Sequence, residues 1–247
     1  MEPDDRPVVA TFLMEGDPFL PGTAVSLGDE VARHVRVRRL GVGTRLALID
    51  GQGHRATGTL VRTAPTTTVE IDSLAVSGPP VPVHLLVPIA DKDRMMWLAE
   101  KVAELGATSW RPVLYRRSRS VKPRGEGQMF TGRVRARMAS ALEQSGGVWL
   151  PALYPEANLS RAVAALPAEG TRIVLDRDAP PLVGLPLVGP VSVALGPEGG
   201  IEPDEMEELD RAGFRRVSLS ASTLRFETAG VAALAMVAAR LMEVQPS

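Results

Sequence analysis

The sequence predicts an α/β protein with a small β-rich domain ahead of it. Two observations carry this. The first 75 residues are short alternating segments punctuated by glycine, a pattern of strands and hairpins. After Val83, apolar strand-like runs alternate with segments of helical spacing, the signature of an α/β domain with a mainly parallel sheet. A third observation marks the boundary. Ser77-Gly-Pro-Pro-Val-Pro82 is a stiff linker, because consecutive prolines break regular structure. It divides the chain into 1–76 and 82–247.

In the first part, Arg45–Asp50 reads as a strand and His54–Val61 as its return, joined at Gly51-Gln-Gly53. Thr66–Ile71 is a third strand, rich in β-branched residues. Gly28–Arg39 is the one helical stretch. This is a small module, a compact barrel in the simplest reading. In the second part, Val83–Ile89 is an almost continuous apolar run, as a buried parallel strand requires. Asp93–Leu105 has helical spacing through Met95, Leu98, Val102 and Leu105, and Gly106 stops it. Trp110–Tyr115 is a strand, followed by helices at Gly132–Gln144 and Leu159–Leu166. Thr171–Leu175 and Val191–Leu195 are core strands. Pro203–Ala212 is a helix with proline in its first turn and acids early. Arg216–Leu219 is a last strand, and Glu227–Met242 the closing helix.

Composition narrows the function classes. The 247 residues are 45% hydrophobic and 23% charged, enough for a sizeable core without covalent staples. There is no cysteine, which excludes a disulfide scaffold, a thiolate metal site and a thiol nucleophile. Three histidines make a histidine-rich metal centre improbable. His84, within a strand, is expected to be a satisfied core histidine. The acidic start lacks a signal-peptide pattern, and Ala229–Ala239 is too short to span a bilayer; a soluble cytoplasmic protein is expected.

The net charge of −1 hides strong segregation. Val31–Arg45 holds five arginines and no acid, including Arg33 and Arg36. Leu105–Gly125 holds six basic residues and no acid, among them Arg116, Arg117 and Arg119. Arg133, Arg135 and Arg137 form a third cluster. Glu198–Asp210 carries seven carboxylates and no base. Along the chain these are separated fields. Arginine clusters suit phosphate backbones; any single one is more often a solvated face, and three of them point towards RNA. Aromatic residues are 4%, too few for a platform that stacks several bases.

Two motifs stand where chemistry is expected. Val191–Gly200, VSVALGPEGG, is a buried strand running directly into Gly-Pro-Glu-Gly-Gly. In α/β sheets, ligands bind beyond the carboxyl ends of strands. The spacing matches neither GxGxxG nor the P-loop, which disfavours the common nucleotide folds. Val217–Ala229, VSLSASTLRFETA, is a short strand, a loop of small residues, and a helix start carrying Arg225 and Glu227. Alone, each has a structural alternative: a tight turn for the first, and a helix cap with a surface ion pair for the second.

Together, in this order, they resemble the RsmE family of the SPOUT superfamily, bacterial methyltransferases acting on N3 of a uridine in 16S rRNA. Lys101-Val-Ala-Glu-Leu-Gly106, Glu143-Gln144-Ser145, Leu195-Gly-Pro-Glu-Gly-Gly200 and Leu224-Arg225-Phe226-Glu227-Thr228-Ala229 carry the resemblance, with a weaker echo in His34–Leu40 and Asp50–Gly53. It implies a PUA-like β-barrel followed by a SPOUT domain with a trefoil knot, S-adenosyl-L-methionine as cofactor and a homodimer, with no metal and no membrane. The partner implied is 16S rRNA in the small ribosomal subunit.

On that pattern the cofactor is held around Leu175, Leu195, Gly196, Glu198, Gly199 and Gly200, and by Leu219, Ser220, Ser222, Thr223 and Leu224. Arg225 supplies positive charge to the uracil, and Glu227 or Glu198 orients it or helps remove the N3 proton. RNA contacts fall to Arg33, Arg36, Arg116, Arg117, Arg119 and Gln144. The chain departs from the family at Ser220-Ala-Ser222, where Gly-Pro-Arg is usual, at Phe226 in place of threonine, and at Gly147 in place of arginine. Two other readings compete: a non-catalytic rRNA-binding relative whose altered loop no longer holds cofactor, and a small-molecule methyltransferase.

Overall fold

The computed structural model describes residues 6–14, 19–118 and 127–244. The chain separates into two compact units, 1–79 with 142–150, and 80–141 with 151–247.

In the first unit, β1 (Ala10–Leu13), β2 (Ala24–Ser26), β3 (Arg45–Ile49), β4 (His54–Arg62) and β5 (Thr68–Val76) form one sheet in the order β1-β3-β4-β5-β2. β1 pairs with β3 in parallel and the remaining pairs are antiparallel. Leu46, Leu48, Leu60, Val69 and Ile71 turn inward. Against them packs α1 (Asp29–Val37) through Ala32 and Val35, with acids in its first turn and bases in its last, as the helix dipole favours. The β3–β4 turn is set by Asp50, whose Oδ1 accepts from the Gln52 and His54 amides at 2.7 and 3.1 Å. The segment 142–150 belongs here through local bonds. The Leu13 amide donates to Glu143 Oε1 at 2.8 Å, and the Leu150 amide to Gly51 O at 2.9 Å. β1 and β2 escaped the sequence reading because they are short and exist only through pairing with distant strands.

In the second unit, a wholly parallel sheet runs β12-β10-β11-β6-β7-β8, with β9 also on β7. The strands are β6 (Val83–Pro88), β7 (Ser109–Leu114), β8 (Ala152–Leu153), β9 (Ala157–Asn158), β10 (Thr171–Leu175), β11 (Val191–Ala194) and β12 (Arg215–Val217). The central pair, β6 and β11, is buried over most of its length, as the unbroken apolar runs foretold. The helices are α2 (Lys92–Glu104), α3 (Gly127–Ser145), α4 (Leu159–Ala164), α5 (Pro203–Arg211) and α6 (Phe226–Val244). Of α3, the part up to Ala141 belongs to this unit.

Asp91 caps α2 by accepting the Arg94 amide at 3.1 Å. A capping box between Glu202 and Glu205 starts α5, with Pro203 in its first turn. α6 approaches the sheet and α2 closely because Gly230 has no side chain; a Cβ there would stand 3.0 Å from Leu195 Cδ1 and Leu98 Cδ1. No helix among the described residues is long and apolar enough to cross a membrane.

His84 departs from expectation. It is half-buried; its Nδ1 lies 2.8 Å from Ser109 Oγ, but Nε2 is buried with no partner among the described residues. Desolvation lowers its pKa below the usual value.

Candidate active site

At the carboxyl ends of β12, β10 and β11 lies a cavity of about 620 Å³. It is within the size range of small-ligand sites, and its position is the one α/β sheets favour. Both sequence motifs converge on it. Leu195, Gly196, Glu198 and Gly200 line it from the β11 side. Leu219, Ser220, Ser222, Thr223 and Leu224 line it from the loop after β12, and Leu175 from the end of β10. Arg225 and Phe226 complete the wall at the head of α6.

Local structure explains the loops. The turn after β11 needs Gly200, whose φ is +79°. Ser220, by contrast, lies outside the positive-φ region. Its Oγ accepts the Ser222 amide at 3.1 Å, a hydroxyl-closed turn. The departure from glycine there is therefore accommodated by the backbone. The same loop is stitched to the chain after β10: the Leu182 amide donates to Ser218 O, and the Ser218 amide to Pro180 O, both at 2.9 Å.

Two expected residues sit differently. Gly199 is absent from the cavity wall; a Cβ there would stand 3.2 Å from Arg117 Cβ. Glu227 is also absent from the wall. It is buried at the start of α6, with its Oε1 3.8 Å from Arg94 Nε. Arg94, which sequence reasoning missed, also pairs with Glu198. Arg225 is exposed, and no carboxylate pairs with it among the described residues.

Asp176 and Arg177 line the cavity and were likewise missed. Arg177 Nη1 donates to Thr223 Oγ1 at 3.1 Å, and its Nε donates to Asp178 Oδ1 at 3.0 Å. The signal was present, because both directly follow a core strand and ligands gather beyond such ends.

The charge fields separated along the sequence meet in space, which corrects the linear picture. Arg117 pairs with Glu202 through two bonds of 2.7 and 2.9 Å, and its Nη1 donates to Gly199 O at 2.8 Å. Arg116 pairs with Asp204, and its amide donates to Glu205 Oε1 at 2.9 Å. Both arginines remain exposed, and each pairs with a carboxylate of its own unit. The parallel topology causes this, by setting the end of β7 beside the start of α5. Arg33 and Arg36 are exposed on α1, and Gln144 is exposed in the 142–150 segment; these three belong to the first unit and Arg116 and Arg117 to the second. Arg119 lies outside the described residues.

Known families match this chain across the sheet and both loops that wall the cavity. The profile described as RNA methyltransferase domain covers residues 77–238, more than half of the chain, and the chain belongs to that family. A second profile, RNA methyltransferase PUA domain, covers residues 27–69.

Among curated proteins, ribosomal RNA small subunit methyltransferase E of Mycobacterium bovis is 29% identical, over 93% of this chain and 91% of that protein. The Synechocystis protein of the same name is also 29% identical, over 83% of this chain and 69% of that one. Among solved structures, a ribosomal RNA small subunit methyltransferase E from Neisseria gonorrhoeae, bound to S-adenosyl methionine, aligns with a TM-score of 0.86 at 28% identity. That alignment covers 92% of this chain and 96% of the other.

Proposed function

We propose that this protein transfers a methyl group from S-adenosylmethionine to N3 of a uridine in 16S rRNA of the small ribosomal subunit. The observation that carries the reading is the convergence of both motif loops on one cavity in a chain of the RNA methyltransferase family. The similarity to small-subunit methyltransferases along nearly their whole length, one of them bound to S-adenosyl methionine, supports it.

The cavity fits the cofactor. Its wall combines leucines at 175, 195, 219 and 224, suited to a flat adenine, with the carboxylates of Asp176 and Glu198, suited to polar groups. The cofactor supplies an electrophilic methyl group on a sulfonium. Leu175, Leu195, Gly196, Glu198, Gly200 and the 219–224 loop hold it, and Gly199 contributes through the turn it shares with Gly200. Ser220 and Ser222 line the space instead of filling it, which weighs against a non-catalytic relative.

Uracil N3 carries a proton at neutral pH, and the base becomes a good nucleophile when that proton leaves. Arg225, exposed at the cavity edge, meets the negative charge that develops on the uracil oxygens. Glu198 and Glu227 are the nearby carboxylates that orient this edge or accept the proton. Alignment of the base against the bound cofactor supplies the rest of the acceleration.

The finer architecture follows the same reading. The domains are a PUA-like barrel at 1–76 and a SPOUT domain at 82–247. The stitching of Ser218 to Pro180 and Leu182 supports a trefoil knot around the cofactor. Small exposed residues along α6, Ala235 and Ala239, with Met242 at 71% exposure, support a homodimer through that face. RNA contact is assigned to Arg33, Arg36, Arg116, Arg117, Arg119 and Gln144, and the reaction takes place in the cytoplasm.

The test is methyl transfer from labelled S-adenosylmethionine to small subunits lacking native uridine N3 methylation, with the product mapped by mass spectrometry. A single new N3-methyluridine is expected. Intact RNA binding with neither transfer nor a cofactor-induced thermal shift overturns the enzyme reading.

A further inference from the structure

Arg94 joins two segments that come from distant parts of the sequence. It is the third residue of α2, and its own amide is fixed by the Asp91 cap. Its Nη1 pairs with Glu198, in the turn after β11. Its Nε stands 3.8 Å from Glu227 Oε1, in the first turn of α6. The Glu227 side chain is only 10% exposed, and its Oε2 is buried with no hydrogen-bond partner among the described residues. A carboxylate withdrawn this far from water depends on a nearby cation, and Arg94 is the cation paired with it among the described residues. A guanidinium can address two carboxylates along separate edges, whereas an ammonium is a single point of charge.

The placement matters because of what each partner adjoins. Glu198 is part of the cofactor cavity wall. Glu227 follows Arg225 by two residues on the turn that presents it to the cavity. Disturbing Arg94 therefore acts on the wall and on the head of α6 together, without removing any group that lines the cavity itself.

We propose that Arg94 is a positioning residue, holding Glu198 in the cavity wall and Glu227 at the head of α6 so that Arg225 keeps one orientation. The proposal rests on the function given above. Its test uses the full chain and two independent readouts. The first is hydrogen exchange of the protein without cofactor, comparing Arg94→Ala and Arg94→Lys with the native chain. Amides of 198–201 and 227–230 are expected to exchange about tenfold faster in Arg94→Ala, with the sheet unchanged. Arg94→Lys is expected to restore only one of the two segments.

The second readout is methyl transfer. Arg94→Ala is expected to lower kcat by about tenfold to a hundredfold, with the KM for RNA changed by less than about threefold. In hydrogen exchange, the double variant Arg94→Ala/Glu227→Gln is expected to be no faster at 227–230 than Arg94→Ala alone, because the arginine holds that segment through that carboxylate. Unchanged exchange at both segments, a general rise across the sheet, or still faster exchange at 227–230 in the double variant each overturn the proposal. Failure of the native chain to bind cofactor or transfer methyl is a different result: it overturns the proposed function and leaves the exchange experiment to decide the arginine's structural role.

Discussion

Arg117 forks onto Glu202, with Nε donating to Oε1 at 2.7 Å and Nη2 to Oε2 at 2.9 Å, while its Nη1 holds Gly199 O at 2.8 Å. One arginine thus ties Gly199, within the turn after β11, to Glu202 at the start of α5. An exposed ion pair of this kind contributes under about 1 kcal/mol to stability, so Arg117→Ala is expected to leave Tm nearly unchanged. It is expected to weaken S-adenosylmethionine binding by about threefold to tenfold through the loosened turn. Arg117→Lys recovers little, because lysine cannot fork. Titration calorimetry decides. A loss of RNA affinity with cofactor affinity intact would leave Arg117 with the RNA role alone.

Arg225 lines the cavity and makes no ion pair among the described residues. Arg225→Ala is expected to cut kcat by about a hundredfold to a thousandfold, the usual effect of removing one group that stabilises developing charge. Cofactor affinity is expected to change by less than about threefold. Single-turnover methyl transfer alongside cofactor titration separates the two, and an equal loss in both would make Arg225 a cofactor ligand.

Ser220 closes its turn by accepting the Ser222 amide at 3.1 Å, in backbone territory that needs no glycine. Ser220→Gly restores the residue usual in the family but removes that bond and frees the chain. It is expected to destabilise by about 0.5–1 kcal/mol without tightening cofactor binding. Tighter binding would mean that the hydroxyl crowds the ligand.

His84 is expected to titrate below 6.5 when followed by NMR, since desolvation favours its neutral ring. The sign follows from proton binding. Between its lowered folded pKa and 6.5, the unfolded chain binds more protons, so this residue's contribution to stability rises with pH across that window and is lost as pH falls through it. Urea unfolding of the native chain and His84→Gln at points across the window isolates this contribution. A variant with the same slope as the native chain would exclude His84 as its source.

Asp50 governs the β3–β4 turn. Burial pushes its pKa up, but the Gln52 amide, the His54 ring 2.5 Å away and the His54 amide outweigh this and hold it low. Its contribution is therefore present above the unfolded carboxyl value and is lost as pH falls through the lowered one. Asp50→Ala is expected to cost about 1–3 kcal/mol at neutral pH, in denaturant unfolding of the full chain monitored at the first unit. The difference from the native chain should shrink in acid.

Much of this molecule could be read from local pattern. The apolar runs of β6 and β11 read as buried parallel strands. The spacing in α2 from Met95 to Val102 gave its buried face, and Gly106 its end. Leu195–Gly200 and Leu224–Ala229 stand out as site loops only together, through the family resemblance they carry; each alone reads as a turn or a helix cap. β1 escaped because four residues at one edge make a strand only when Leu46–Ile49 lie beside them. The 142–150 segment bonds to Gly51, Gly53 and Leu13, far away in the chain, through pairings that no local pattern encodes.

The sequence by itself determined the α/β class, the order of most elements and the family resemblance, and ten of the eleven residues that this resemblance assigns to the cofactor line one cavity. The tertiary structure decided which charges meet: Arg117 with Glu202, Arg116 with Asp204, and Arg94 with Glu198 and Glu227. Composition and spacing record what each segment carries, but electrostatic interaction depends on distance in space. That distance is set by the strand order of the parallel sheet, which brings residues about a hundred positions apart into one ion pair.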